Sequence, residues 1–305
     1  MPLRPPSPGA AARGLRSVVP VRRRLPLAGR TVLVTGAGSG IGRLMALGAA
    51  ERGAARVLVW DRDEAAALAV AQEATSRGAQ GVAERIDVTD AAAVAAAAER
   101  AGEVDVAVNN AGVVTGARLE DATEEGIRRT FEVNALAPYW LTRAVLPGMR
   151  ARGRGAIVTV ASAAGLVGVA RQTDYSASKH AAVGFAESLG AELRKEGSPV
   201  TSLVVCPYYV STGMFVGVRT RIPALLPILR PEAVADAVLD AVEAGRRRLL
   251  LPRAVGLIAP LRALPGGAFD AAMDVLGVNA TMDAFTGRST PTAPPPVFAP
   301  DRAAR

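Results

Sequence analysis

The sequence predicts an α/β protein: one domain on a doubly wound parallel sheet of about seven strands, with helices on both faces. Three observations carry that expectation. Short β-branched runs alternate with helical, alanine-rich runs along most of the chain. The first such run, 31–35, passes directly into a glycine-rich turn and then a helical pattern. The polar residues suited to chemistry fall at the ends of the strand-like runs, where an open α/β sheet places its ligands.

Residues 31–35 (TVLVT) are short, β-branched and bounded by glycine, which reads as a buried strand. A helical pattern covers 41–52 after the glycine turn. A second strand, 56–60, ends on Asp61, and a helix follows over 63–77. Residues 80–86 make a third strand ending at Asp87, and the alanine-rich run 91–101 is helical. The fourth strand, 104–108, is closed by Asn109-Asn-Ala-Gly112. Residues 123–149 read as one long helix with Pro138 as an irregularity inside it. A fifth strand, 156–160, runs into Ser162, and a second long helix covers 174–195. A sixth strand at 200–205, a helix at 231–243 and a last strand at 249–251 complete the alternation.

At 305 residues, half of them hydrophobic, the chain is long enough to bury a large core. The net charge of +8 does not belong to that body. Residues 1–30 hold seven arginines and no acid, the residues from 289 on add one positive charge, and the rest balance to zero. A basic nucleic-acid groove is therefore not expected. Residues 1–28 read as a disordered Pro/Arg-rich leader that offers at most peripheral contact with an anionic membrane surface. The domain spans 29–288, and the Pro-rich tail 289–305 is expected to be disordered. No apolar run reaches the length of a transmembrane helix. The single cysteine, Cys206, excludes an internal disulfide, and with the lone His180 it leaves no metal site; a cytoplasmic location is expected.

Gly36, Gly40 and Gly42 follow a strand and open a helix. Glycines there permit a tight turn and let the backbone approach a pyrophosphate at the helix N-terminus, a Rossmann-like arrangement. A plain turn is the alternative, and the strand–turn–helix context favours the phosphate. Asp61 ends the next strand, about 20 residues further on, where a carboxylate accepts from an adenosine ribose and repels a 2′-phosphate. That favours NAD over NADP, although Arg62 beside it would welcome a phosphate. Asp61 is otherwise a cap for helix 63–77. Asp87 serves an adenine or caps the next helix, and Asn109 and Asn110 are cofactor contacts or turn residues. Asn134 sits mid-helix, where asparagine is a poor choice, which points to an inward role such as holding a water.

Tyr175 and Lys179 lie four residues apart, one turn on the same face of a helix. An amine there favours the phenolate and lowers the tyrosine pKa toward working pH, so that Tyr175 exchanges a proton with an alcohol or carbonyl. Ser162 is placed to hydrogen-bond the same oxygen. Only Lys179 and Lys195 are lysine in a chain rich in arginine, so lysine at 179 is a specific choice. Taken alone, the pair is equally a solvated helix surface. His180 points about 100° away from Lys179 around the helix and reads as structural; Cys206 reads as a small apolar filler.

Together, Thr35-Gly-Ala-Gly-Ser-Gly-Ile-Gly42, Asp87, Asn109-Asn-Ala-Gly112, Asn134, Ser162, Tyr175-x-x-x-Lys179 and Pro207 resemble the short-chain dehydrogenases/reductases over roughly residues 29–252. Residues 57–61, 130–134, 157–165, Met214-Phe215 and 219–287 look like the retinol dehydrogenase and 17β-hydroxysteroid dehydrogenase-like branch. The resemblance implies hydride transfer between a nicotinamide and an alcohol/carbonyl pair, with Tyr175 as acid/base. It implies that Lys179 binds the nicotinamide ribose and lowers the Tyr175 pKa, that Ser162 orients the substrate oxygen and that Asn134 holds a relay water. It also implies cofactor contacts at Gly36, Ser39, Gly40, Ile41, Gly42, Asp61, Arg62, Asp87, Val88, Asn109, Ala111, Tyr175, Lys179, Val210 and Thr212. Pairing of the two long helices into a homodimer or homotetramer is a further implication. One departure is plain: the family usually has glycine after the proline that ends the sixth strand, and here Tyr208 and Tyr209 follow Pro207.

The connection 208–230 is long enough to be a substrate lid. Tyr208, Tyr209, Met214 and Phe215 are its candidate substrate contacts, in an apolar setting that suits a small lipophilic alcohol. The expected activity is an NAD-dependent dehydrogenase of such an alcohol. An NADPH-dependent carbonyl reductase is the near alternative, and a non-catalytic dinucleotide-binding regulator is the alternative of another class.

Overall fold

A computed structural model describes residues 24–287. The first half contains β1 (Thr31–Thr35), α1 (Gly40–Glu51), β2 (Arg56–Asp61), α2 (Glu64–Ser76), β3 (Gln80–Arg85), α3 (Ala91–Ala101) and β4 (Val106–Asn109). The second contains α4 (Glu124–Phe131), α5 (Ala137–Ala151), β5 (Ala156–Val160), α6 (Thr173–Lys195), β6 (Thr201–Pro207), α7 (Pro231–Glu243) and β7 (Arg248–Leu251). Two short helices, α8 (Ile258–Leu261) and α9 (Gly266–Val275), follow.

The seven strands form one sheet in the order β3-β2-β1-β4-β5-β6-β7, and every pairing is parallel. A parallel sheet needs a helical crossover between strands, and covering both faces buries it completely. β1, β4 and β5 are accordingly buried at every residue. On one face α1, α2 and α7 pack with Met45, Val70 and Val238. On the other α3, α5 and α6 pack with Val94, Leu141 and Leu189. The strand order reverses between β1 and β4, and the crevice beyond their carboxyl ends is where a doubly wound sheet binds ligands.

Three expectations change. The helix expected over 123–149 is two helices joined by a π-helical stretch, Glu132–Leu136. Pro138 has no N–H to give the carbonyl four residues earlier, that of Asn134, so the ladder opens ahead of the proline rather than at it. α9 was not foreseen, because Gly266 and Gly267 open it and hide its helical signal. The leader gives way to packed chain before residue 29. Leu25 and Leu27 are buried, and their N–H groups donate to the Glu243 carbonyl (3.0 Å) and the Glu243 Oε1 (3.1 Å). The rest of the expected leader and the whole of the tail lie outside the described residues.

Candidate active site

The glycine turn is built by close contacts. Gly36 adopts φ +62°, and a β-carbon there would sit 2.9 Å from the Ala111 Cα. A β-carbon on Gly42 would sit 2.2 Å from the Gly36 carbonyl oxygen. Ser39 caps α1 without a side-chain hydrogen bond, and α1 has no acid in its first turn. The first N–H groups of α1 thus lack a side-chain partner and favour an anion.

Asp61 is not a helix cap. Its Oδ2 accepts from the Gly38 N–H (2.8 Å) and its Oδ1 from the Asp63 N–H (3.0 Å). α2 is capped by Asp63, which accepts from Ala66 N (3.0 Å). Gly38 was missed in the sequence; the fourth glycine of the turn was its only signal. Asp87 likewise leaves the capping of α3 to Asp90. The Thr89 N–H and hydroxyl bind Asp87 Oδ1. Chiefly through that backbone bond, and with help from Arg129 and Arg62, its carboxyl lies below the usual range although burial opposes the shift. Val88, Arg62 and Arg129 line this end of the cleft. Arg129 comes from a helix distant in sequence, and no local pattern marks it.

Asn109 does not enter the cleft with its side chain. It is buried beside Thr142, whose hydroxyl lies 3.4 Å from its Nδ2. The next residue does the work expected of it: Asn110 Nδ2 donates to the carbonyls of Thr35 (2.9 Å) and Gly36 (3.2 Å). Thr35 Oγ1 accepts from the N–H groups of Asn110 (3.0 Å) and Ala111 (3.1 Å), which fixes the β1 and β4 ends together.

Ser162 follows β5, and its Oγ accepts from Ala164 N (3.1 Å). Tyr175 and Lys179 lie in the first two turns of α6 and are buried, as the one-turn spacing requires. The Lys179 Nζ donates to the Val160 carbonyl (2.9 Å) and lies 5.7 Å from the Tyr175 ring centroid. Burial pushes the Tyr175 phenol up to about 12, against the opposing hydrogen bond from Ser162. Burial also pushes Lys179 down to about 8. In both groups burial, which disfavours the charged form, is the leading influence.

Asn134 is buried in the π-helical stretch, and its side chain is hydrogen-bonded at both ends. Its Oδ1 accepts from Val113 N (2.9 Å), and its Nδ2 donates to Val113 O (2.9 Å) and Ser178 Oγ (3.1 Å). It ties the segment after β4 to α6, next to Lys179.

Beyond Tyr175 the cleft becomes apolar. Phe215 stands edge-on to the Tyr175 ring at 5.8 Å, and Tyr209 edge-on to Phe215 at 5.1 Å. Met214, Tyr208 and Val210 also line the cleft, and Thr212 faces the glycine turn, 3.5 Å from where a Gly40 β-carbon would be. Burial raises the pKa of both tyrosines. Tyr209 is the one held inside the wall, through hydrogen bonds to Gln172 (3.2 Å) and Thr281 (2.8 Å). One continuous cleft runs from Asp87 to these residues and holds about 1440 Å³. Its glycine-lined half, with free helix N–H groups and Asp61 at its edge, fits a dinucleotide; its apolar half fits a lipophilic molecule. His180 bonds the Ser176 carbonyl (2.8 Å), and Cys206 is packed in an apolar cluster with its thiol pushed up to about 12. Among the described residues no cluster suits a metal ion.

The chain is similar in sequence and fold to known proteins. The profile of the family described as short chain dehydrogenase matches residues 30–222. The mouse protein named epidermal retinol dehydrogenase 2 is 40% identical over 276 residues, 88% of this chain and 89% of that protein. Mouse 17-beta-hydroxysteroid dehydrogenase 13 is 36% identical over 80% of this chain and 81% of its own length. Rat retinol dehydrogenase 10 is 38% identical over 85% of each. A solved short chain dehydrogenase/reductase from Burkholderia phymatum, in complex with NAD, superposes with a TM-score of 0.71 at 29% identity, covering 78% of this chain and 94% of that one.

Proposed function

The chain belongs to the short-chain dehydrogenase/reductase family, and we propose that it transfers a hydride between NAD(H) and a lipophilic alcohol/carbonyl pair, with Tyr175 as acid/base. The observation that carries this reading is the convergence of Ser162, Tyr175 and Lys179 on one cleft, with a dinucleotide cradle at one end and an apolar chamber at the other. A nicotinamide held in that cradle would supply the hydride acceptor for the alcohol carbon, or the hydride donor for the carbonyl.

The chain's own groups handle the proton and the positioning. The Ser162 hydroxyl donates to the substrate oxygen. The Tyr175 oxygen takes the alcohol's proton in oxidation, and the phenol returns it in reduction. Lys179, held by Val160, keeps its amine 5.7 Å from the Tyr175 ring centroid, and a charged amine there offsets the cost of the phenolate. Asn134 acts at one remove, by fixing the π-helical stretch beside Lys179. The apolar walls exclude water and select a hydrophobic substrate. The Tyr175→Phe variant is expected to lose turnover of hydrophobic alcohols by ~10²-fold or more, at the scale of acid–base catalysis. Unchanged turnover would overturn the mechanism.

A second reading, preference for NADP(H), has one observation in its favour. Both Asp61 oxygens already accept backbone N–H groups, and Arg62 and Arg129 line the same end. NAD remains the proposal because Asp61 stands where a 2′-phosphate would meet a carboxylate. Comparing kcat/KM with NAD and NADP decides between them, and a clear advantage for NADP would reverse the assignment.

A further inference from the structure

We propose that Gln172 is a specificity-determining residue: its Oε1 accepts a hydrogen bond from a second donor group on the substrate, so the preferred alcohols carry a further hydroxyl near the reacting carbon. This rests on the reading of Tyr175 as the reacting centre.

Gln172 immediately precedes α6, three residues before Tyr175, and is among the residues that line the cleft. Its side chain is buried, and its Oε1 has no hydrogen-bond partner. Which amide atom faces which way follows from a directed chain of hydrogen bonds. The Val278 carbonyl can only accept, so the Thr281 hydroxyl donates to it (2.8 Å). With its proton used there, Thr281 Oγ1 accepts from the Tyr209 hydroxyl (2.8 Å). With its own proton used on Thr281, the Tyr209 oxygen accepts from Gln172 Nε2 (3.2 Å). The Nε2 is thereby fixed toward Tyr209, and the Oε1 is left as a buried acceptor without a donor. Buried acceptors are costly to leave unpaired, so the position calls for one.

The surroundings identify that donor as part of the substrate. Of the side chains packed around Tyr209, Val169, Phe215 and Phe285 have no donor to give, and the Tyr208 hydroxyl makes no hydrogen bond to the Gln172 Oε1. The Oε1 is closed from solvent, so a ligand reaches it when one of these side chains shifts, and Phe215 already stands against Tyr175. Gln172 and Tyr175 line the same cleft, so one substrate molecule can meet both.

The test uses the full chain and three probe sets: dodecan-1-ol, its 2-, 3- and 4-hydroxy derivatives, and the matching methoxy ethers, which only accept. Binding is read as the rise in unfolding temperature with NADH present and absent, and turnover as kcat/KM with NAD. At least one diol is expected to exceed both dodecan-1-ol and its ether about tenfold in kcat/KM or affinity. The Gln172→Met variant is expected to lose that ratio. If this variant does not fold, Thr281→Val supplies the test. It frees the Tyr209 proton, which then binds Gln172 Oε1 and turns Nε2 to the cleft, so the ether should overtake the diol. A merely structural glutamine would change all probes alike, as would one that holds only a water. Equal ratios in wild type, or ratios unmoved in both variants, overturn the proposal. The two readings fail separately: Tyr175→Phe turnover tests the acid/base, and the binding ratios test Gln172 even where no probe is oxidised.

Discussion

Lys179 is buried with its amine turned to the Val160 carbonyl, and its titration should be visible in the stability of the whole protein. Its folded pKa is about 8 against 10.5 for the ordinary amine. Below pH 8 both the folded and the unfolded chain hold the proton, and the folded state bears the full cost of a buried charge. Between 8 and 10.5 the unfolded chain binds more protons, so stability rises with pH across that window by roughly 3 kcal/mol. Tyr175 acts with the opposite sign, since its folded pKa of about 12 exceeds the ordinary 10.0. Its contribution is complete below pH 10 and is lost between 10 and 12, so it does not mask the lysine below 10. Urea unfolding of wild type and Lys179→Met at pH 7 to 10 checks this. The wild type should climb relative to the variant above pH 8, and parallel curves would show that Lys179 titrates normally. The slope is the cleaner readout, because the variant also strips the Val160 carbonyl of its donor.

At the scale of elements, the β1–turn–α1 unit depends on the absence of side chains. Gly42→Ala would place a methyl 2.2 Å from the Gly36 carbonyl oxygen, with the Asn110 Nδ2 at 2.4 Å. The turn must then move off the α1 N-terminus. NADH affinity, measured by its fluorescence, is expected to fall at least about tenfold, and unchanged affinity would place the pyrophosphate elsewhere. Gly184→Ala, at an exposed position of α6 with open space around it, should instead gain up to ~1 kcal/mol in helix propensity. This unit was legible in the sequence because everything that defines it is local: a β-branched run, glycines at fixed offsets, a helical run. Ser162, Tyr175 and Lys179 were legible for the same reason. Gly38, Arg129 and Gln172 were not, because each acquires its role from a residue far along the chain: Asp61, Asp87 and Tyr209. The π-helical stretch was misplaced by a few residues, since a proline disturbs the carbonyl four positions before it. Asn109 and Asn110 could not be separated by sequence, because adjacent residues at a strand end face opposite sides.

For the whole molecule, the surface left after folding points to a second copy of the chain. Leu136 and Tyr139 lie one turn apart at the start of α5 and are 44% and 43% exposed. The Tyr139 ring meets Phe185 of α6 with centroids 4.4 Å apart, so the apolar patch crosses from one long helix to the other. α6 also carries Tyr175 and Lys179 at its buried start, so whatever steadies its outer face also steadies the site. The patch adjoins the two elements that the family resemblance pairs across subunits, and a self-complementary helix pair is the natural occupant of a two-fold interface. Sedimentation of the wild type is therefore expected to give a dimer or a tetramer, and Leu136→Asp with Tyr139→Asp a smaller species. Charges placed at the centre of such an interface meet their own copies across the two-fold axis, so the effect should weaken in high salt. A wild-type monomer at micromolar concentration would leave the patch without its partner copy. An oligomer untouched by the double variant would move the interface to another face.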